Sequence, residues 1–140
     1  MGPRIFPGVA AIGLLLFAVP AIAHHSFTAE FDGTKQVTLT GRITKLDWVN
    51  PHVYLYMDVK DENGKVVNWE IESWPTGLLH KSGVTRERLA PDQEVTVLTA
   101  RAKDGTKNLV WLRSIKFSDG AYFELSATAP DQQGSSGRTK

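Results

Sequence analysis

The stretch QVTLTGRITKLDW, residues Gln36–Trp48, decides the fold. Its apolar side chains first occupy odd positions and then, from Leu46 onward, even positions. Alternation with a period of two is typical of a half-buried β-strand. The change of phase, with Gly41 inside the run, predicts a bend or a bulge in a long first strand.

Further strands with the same period follow the first one. They are predicted at Val53–Lys60, Lys65–Ser73, Glu94–Arg101 and Asn108–Ser118, with Ala121–Leu125 as a short edge. Between the third and fourth strands, Thr76–Leu89 predicts one or two helical turns, with Thr85 as a capping residue. The order β-β-β-α-β-β predicts an all-β fold, a five-stranded OB-like Greek-key barrel. Another small barrel or a sandwich is the alternative.

The composition is that of one ordinary domain. The chain has 140 residues, of which 41% are hydrophobic and 22% charged, which excludes wholesale disorder and a polytopic membrane protein. The chain contains sixteen Lys and Arg residues and fifteen Asp and Glu residues. It lacks the cationic excess typical of a nucleic-acid-binding protein, so no nucleic-acid partner is expected. The absence of cysteine excludes disulfides, thiolate metal sites and a thiol nucleophile.

The two ends of the chain differ from its middle. A single cation precedes the apolar run Val9–Val19, and Ala21-Ile22-Ala23 has the small residues of a cleavage site. This order predicts a cleaved signal peptide over residues 1–23 and a protein in the periplasm or outside the cell, with no stable membrane insertion after cleavage. An uncleaved anchor is the alternative. The barrel domain is expected over residues 24–126, and the polar residues 127–140 predict a disordered tail.

Histidines provide the first functional hypothesis. Cleavage after Ala23 would give His24 two ligand atoms, its α-amine and its ring Nδ1, and His25 follows directly. His52 lies at the turn between the first two strands, one of the rims where OB barrels bind ligands. Three nitrogen donors suit Cu(II) best among the common divalent ions, so we expect a copper site at His24, His25 and His52. Adventitious binding to a His-His terminus is the alternative.

Aromatic side chains provide a second hypothesis. Tyr54 and Tyr56 share one face of the second strand, and Trp48 and Trp74 lie at strand ends. Exposed rings on an OB-type sheet can stack on sugars, small ligands or partner proteins. The protein would then be a metal-free binding module. The competing interpretation is that these rings are buried, because aromatic side chains bury large areas.

No catalytic constellation is apparent, so an enzyme is the less favoured interpretation. No nucleophile-elbow pattern surrounds a serine, and no glycine-rich phosphate loop is present. Glu70 and Glu72 point the same way along a strand, and an exposed polar face explains them more simply than a paired-carboxylate site. Asp47, Asp58 and these two glutamates could support a metal site, and the sequence selects none of them. A periplasmic or membrane redox protein is the expected partner.

Several segments resemble a known family. These are His24–Asp32, Thr38–Gly41, Trp48–Val53, Asp61–Lys65 and Ala102–Gly105. They are similar to a family of small exported bacterial proteins known only as domain of unknown function 6152. The resemblance extends from His24 to about Leu125 and implies a small, exported, β-rich protein of Gram-negative bacteria. It implies no activity, substrate or catalytic residue.

Overall fold

The structure, a computed structural model, describes residues 27–125. Its elements, in chain order, are α1 (Phe27–Glu30), β1 (Phe31–Asp47), β2 (Tyr54–Lys60), β3 (Val66–Glu72), α2 (Thr76–Lys81), β4 (Glu94–Ala102), β5 (Leu109–Phe117) and β6 (Tyr122–Glu124). The strands agree with the predicted ones within a few residues except at the start of β1. That strand begins five residues before the predicted Gln36, because Phe31 and Asp32 also pair with β4 across a register shift.

Five of the strands form a ring. The order in the sheet is β3-β2-β1-β4-β5-β6. A further parallel pairing of β3 with β5 joins the five strands β1, β2, β3, β4 and β5 into a closed ring. The ring order β1-β2-β3-β5-β4, with α2 between β3 and β4, is that of the OB-fold. The predicted all-β, OB-like architecture is confirmed. The closure pairs Glu72 on β3 with Trp111 on β5.

The predicted irregularity in β1 lies at Thr44. The pairing of β1 with β2 shifts between Ile43 and Lys45, so one extra residue is inserted in β1. A bulge of this kind moves the following side chains to the opposite face of the strand. Ile43 is buried in the core, and Leu46, three residues later, also packs against the core. The bulge therefore explains why the apolar positions change from odd to even.

The interior of the ring is apolar and contains side chains from every strand of the ring. Leu55, Met57, Ile71, Val97 and Ile115 are among the fully buried residues. Met57 is completely covered, so its thioether takes no part in a surface site. Within residues 27–125, no helix is long and apolar enough to cross a membrane. The predicted signal peptide (1–23), the tail (127–140), His24 and His25 all lie outside the described residues.

Gly41 lies where β1 changes partners, and replacing it should destabilise the fold. It is paired with Val59 on β2 and with Val95 on β4. A Cβ at this position would lie 2.3 Å from the backbone oxygen of Asp58, so two strands would have to move apart. We expect Gly41→Ala to lower the free energy of unfolding by about 1–3 kcal/mol, as other overpacked sites do. Urea denaturation measures this loss.

Gly77 is the matched control for that substitution. It lies in α2, and a Cβ there would meet nothing within 4 Å. Gly77→Ala should therefore leave stability unchanged or raise it by about 0.5–1 kcal/mol, because alanine favours helix more than glycine does. Equal effects of the two substitutions would contradict the close approach of β1 and β2 at Gly41.

Candidate functional site

His52 is held in a fixed position by the loop that joins β1 and β2. In this loop the Asn50-Pro51 peptide is cis, and Oδ1 of Asn50 accepts hydrogen bonds from the backbone N–H and hydroxyl of Thr76 at 3.1 and 3.0 Å. Directly after His52, the backbone N–H of Val53 donates to the carbonyl oxygen of Trp74 (3.3 Å), and the carbonyl oxygen of Val53 accepts from the N–H of Ser73 (2.8 Å). The loop is thereby tied both to the start of α2 and to the residues after β3.

The carboxylate of Glu72 engages one side of the His52 ring. Nδ1–H of His52 donates to Oε1 of Glu72, and the side chain of His52 is 23% exposed. Glu72 itself is only 6% exposed. Burial raises the pKa of Glu72, and the charge and hydrogen bond of His52 oppose that rise. With Nδ1 occupied, Nε2 is the ring nitrogen of His52 that is left for a ligand.

Burial of Glu72 corrects the interpretation of the third strand. Glu70 and Glu72 were both expected on an exposed polar face, but only Glu70 remains partly exposed. Glu72 is covered because β5 closes the ring beside it and places Trp111 next to it. The pairing of a histidine with a buried carboxylate was therefore missed, although Glu72 was one of four carboxylates considered as support for a metal site.

Trp111 is the centre of an aromatic cluster on which His52 rests. The His52 ring meets it edge-on, with ring centroids 5.4 Å apart, and Trp74 meets it edge-on at 5.2 Å. Phe27 and Phe31 pack on the same indole at 5.7 and 5.5 Å. We call these five residues, His52, Trp74, Trp111, Phe27 and Phe31, the aromatic cluster. The sequence did not single out Trp111, because its neighbours come from both ends of the domain.

Phe27 connects the aromatic cluster to the start of the chain. Its ring and that of His52 both contact Trp111, at 5.7 and 5.4 Å, so their centroids are at most about 11 Å apart. His24 and His25 precede Phe27 and lie outside the described residues.

The four aromatic residues of the second hypothesis differ in their surroundings. Tyr54 and Tyr56 lie on β2 opposite Glu72 and Glu70. Burial raises the pKa of both tyrosines, and negative charge adds to the rise, that of Glu72 and Glu70 at Tyr54 and that of Glu70 at Tyr56. Nζ of Lys45 also lies 4.6 Å from the centre of the Tyr56 ring, so that face is partly covered.

The two tryptophans of that hypothesis pack inward. Trp48 is half-buried against the core, and Trp74 is only 8% exposed. Nε1 of Trp74 is buried and has no hydrogen-bond partner among the described residues, so ring packing alone holds this indole. Trp74 is therefore covered by its neighbours, and Trp48 exposes only part of its ring.

Within residues 27–125, no three His, Cys, Asp or Glu side chains come together as a metal site. At this position the described residues offer the imidazole of His52, which Glu72 orients, and the other described histidine, His80, lies on α2. Further ligands at this position would have to come from His24 and His25, which the described residues do not include. The donor set is free of sulfur, which suits Cu(II) better than a soft ion.

The chain belongs to a family of unknown function, DUF6152, whose profile matches residues 11–110. The resemblance seen in the sequence is confirmed. A search of curated proteins found no match.

Three solved structures have similar strand arrangements at low identity. Rim1, a mitochondrial single-stranded DNA-binding protein from S. cerevisiae, is 11% identical, with a TM-score of 0.46 over 62% of this chain and 97% of its own. TiaS in complex with an isoleucine tRNA and ATP is 16% identical, with a TM-score of 0.44 over 61% of this chain and 18% of its own. A ZRD-deleted TiaS mutant in complex with agmatine is 16% identical, with a TM-score of 0.46 over 67% of this chain and 27% of its own. Their ligands imply nothing about this chain.

Proposed function

We propose that the protein is an exported copper-binding protein whose site combines His52 with the N-terminal histidines. The observation that carries the proposal is the contact between His52 Nδ1 and the buried carboxylate of Glu72. Histidines that bind metals commonly donate their other ring N–H to a carboxylate, which fixes the tautomer and makes the ligating nitrogen more basic.

His24 and His25 would supply the remaining nitrogen ligands. Removal of residues 1–23 would free the α-amine of His24, which titrates near about 8 and loses its proton readily to a metal. Together with the rings of His24 and His25, this amine gives donors of the same class as His52 Nε2. By the Irving–Williams order such a set binds Cu(II) more tightly than Zn(II) or Ni(II).

We propose that the protein carries copper, and that the bound copper could exchange electrons with a partner. It would not catalyse the conversion of a substrate. The residues around His52 are packed against one another, and Trp74 and Trp111 are both buried. We therefore propose that the protein receives or delivers copper, with a periplasmic or membrane redox protein as its partner.

Copper titration of the exported protein tests the proposal. The full chain is expressed with its own N-terminus, recovered from the periplasm, and its mass is measured to determine whether it begins at His24. Calorimetry and EPR should then show one Cu(II) per chain with nitrogen ligands. His52→Ala should weaken binding at least about tenfold, because one oriented ligand is lost.

Two control variants distinguish an organised copper site from adventitious binding by the N-terminal histidines. His80→Ala removes an exposed histidine on α2 and should leave the affinity unchanged. A glycine added before His24 removes the terminal chelate and should weaken binding as His52→Ala does. Binding that is unaffected by His52→Ala would overturn the proposal and leave only adventitious binding by the His-His pair.

A further inference from the structure

We infer that Tyr54 and Tyr56, together with the carboxylate of Glu70, bind a cationic side chain, a lysine or an arginine, of a partner protein. Tyr54 and Tyr56 are two residues apart on β2, so both rings lie on one face of the sheet. Both side chains are partly exposed, whereas Leu55 between them is buried in the core. The two rings therefore lie on the outer face of the barrel. Copper and the N-terminal histidines take no part in this binding.

Charged side chains of the neighbouring strands flank the two rings. On β1, Asp47 is paired with Tyr54. Tyr56 lies between Lys45 on β1 and Glu70 on β3. Paired residues of adjacent antiparallel strands have their Cβ atoms about 4.5–5.5 Å apart, and diagonal neighbours remain within reach of long side chains. Burial raises the pKa of both tyrosines, and the negative charge of Glu70 adds to the rise at each of them. We call these five residues the tyrosine face.

Lys45 shows how the tyrosine face holds a cation. Its Nζ lies 4.6 Å from the centre of the Tyr56 ring and 2.6 Å from Oδ2 of Asp47. The ring contributes a cation–π contact, and the carboxylate contributes an ion pair. A lysine of this chain thus already occupies one of the two rings, and Asp47 neutralises its charge.

Tyr54 and Glu70 offer the same pair of groups to a second cation. Within residues 27–125, the carboxylate of Glu70 makes no ion pair and no hydrogen bond, and no Lys or Arg side chain lies over the Tyr54 ring. An ammonium or guanidinium group can satisfy the carboxylate and the electron-rich ring at once. A phosphate or another carboxylate would be repelled by Glu70. The tyrosine face therefore selects a cation.

The occupant is a side chain of a protein rather than a free amine. Exposed cation–π contacts and exposed ion pairs are each weak, because water screens the charges. A free amine would leave the tyrosine face open to water. A partner that lays a basic segment across β2 and β3 covers this face, and both contacts strengthen as water is excluded.

NMR titration of the exported protein, free of copper, tests this binding. The probe is a peptide of alternating lysine and threonine, and the reference is the same peptide with every lysine acetylated. The charged peptide should shift the amide resonances of the tyrosine face, and the acetylated peptide should not. Glu70→Gln and Tyr54→Leu should each weaken binding about two- to fivefold, as expected for loss of an exposed ion pair or cation–π contact. Added salt should weaken binding as well.

Tyr122 provides a matched control on another part of the barrel. It is 55% exposed on β6, and its paired residue on β5 is Lys116 rather than a carboxylate. A cationic side chain is repelled there instead of attracted. Tyr122→Leu should therefore leave the affinity for the charged peptide unchanged.

Removal of Lys45 should have the opposite effect to removal of Glu70. Lys45→Met vacates the Tyr56 ring and frees Asp47, so the charged peptide should bind about two- to fivefold more tightly. Lys60→Met changes the net charge by the same amount at the exposed end of β2 and should strengthen binding less.

Equal binding of the charged and acetylated peptides would overturn the role of the tyrosine face, as would full affinity in both Glu70→Gln and Tyr54→Leu. Resonance shifts confined to another part of the barrel, or no shift with either peptide, would overturn it as well. Glu70→Gln keeps the shape of the side chain, which covers the case in which Tyr54→Leu folds poorly. The copper titration is a separate measurement, so either proposal can fail while the other stands.

Discussion

Replacing Trp111 by alanine should destabilise the protein by about 3–5 kcal/mol, the usual loss for a large buried aromatic side chain. The indole is 4% exposed. In the described part of the chain, the rings of Phe27, Phe31, His52 and Trp74 contact it, so its removal leaves a cavity bordered by side chains from distant parts of the sequence. Because the indole of Trp74 has no hydrogen bond to any residue within 27–125, it should lose its fixed position as well.

Guanidinium chloride denaturation measures this loss, with Trp69→Ala as the control. Trp69 is half-buried, and its ring contact among the described residues is with the guanidinium of Arg101 at 5.9 Å. Its removal should therefore cost less than that of Trp111. Trp111→Phe, which keeps one ring in the cluster, should fall between the two. A loss below about 1 kcal/mol for Trp111→Ala would mean that the cluster does not stabilise the fold.

The strands and the bulge were predictable because they depend on neighbouring residues. Alternation along Gln36–Trp48 reports which side chains face the core, and its change of phase reports the extra residue at Thr44. The sheet topology followed from the order of the strands and the helical connection between the third and fourth. The early start of β1 at Phe31 was missed, because that part of the strand depends on pairing with Ala102 across a register shift.

The site was only half predictable. Ligand chemistry and position selected His52, because imidazole is a good ligand for Cu(II) and its turn joins the first two strands. The burial of Glu72 and the central place of Trp111 result from the parallel pairing of β3 with β5, which joins segments far apart in sequence. No local pattern encodes that closure. The pairing of β3 with β5 buries Glu72, whose carboxylate contacts His52.

Glu72→Gln should change how stability depends on pH in the metal-free protein. Burial raises the pKa of Glu72 above its ordinary value of 4.5, Glu30 and Glu70 add to the rise, and His52 opposes it. The folded protein therefore keeps the proton over a pH interval in which the unfolded chain has already released it. Because the unfolded state binds fewer protons there, the free energy of unfolding falls as pH rises from about 4.5 through the raised value.

The glutamine variant has no proton to release at this position, so its free energy of unfolding should fall less over that interval. Urea denaturation from pH 4 to 7 in the presence of a chelator measures the two slopes. Glu70→Gln is the matched control, since Glu70 lies two residues away on the same face, opposite Tyr56, and is partly exposed. It should change the slope much less than Glu72→Gln does, because the charge of Glu70 adds less than burial to the raised pKa of Glu72. An unchanged slope in Glu72→Gln would contradict the raised pKa.

The same variant should weaken Cu(II) binding by about tenfold, at the lower end of the 10–100-fold losses seen when the carboxylate partner of a metal-binding histidine is removed. The lower end is expected because the amide oxygen of glutamine can still accept a hydrogen bond from Nδ1–H of His52 and hold the ring. What is lost is the negative charge that makes Nε2 a stronger donor. Glu70→Gln should bind copper normally, because Glu72 is the carboxylate that contacts His52. If both variants retain full affinity while the pH slope changes as expected, Glu72 is a buried acid that stabilises the fold and does not tune a metal ligand.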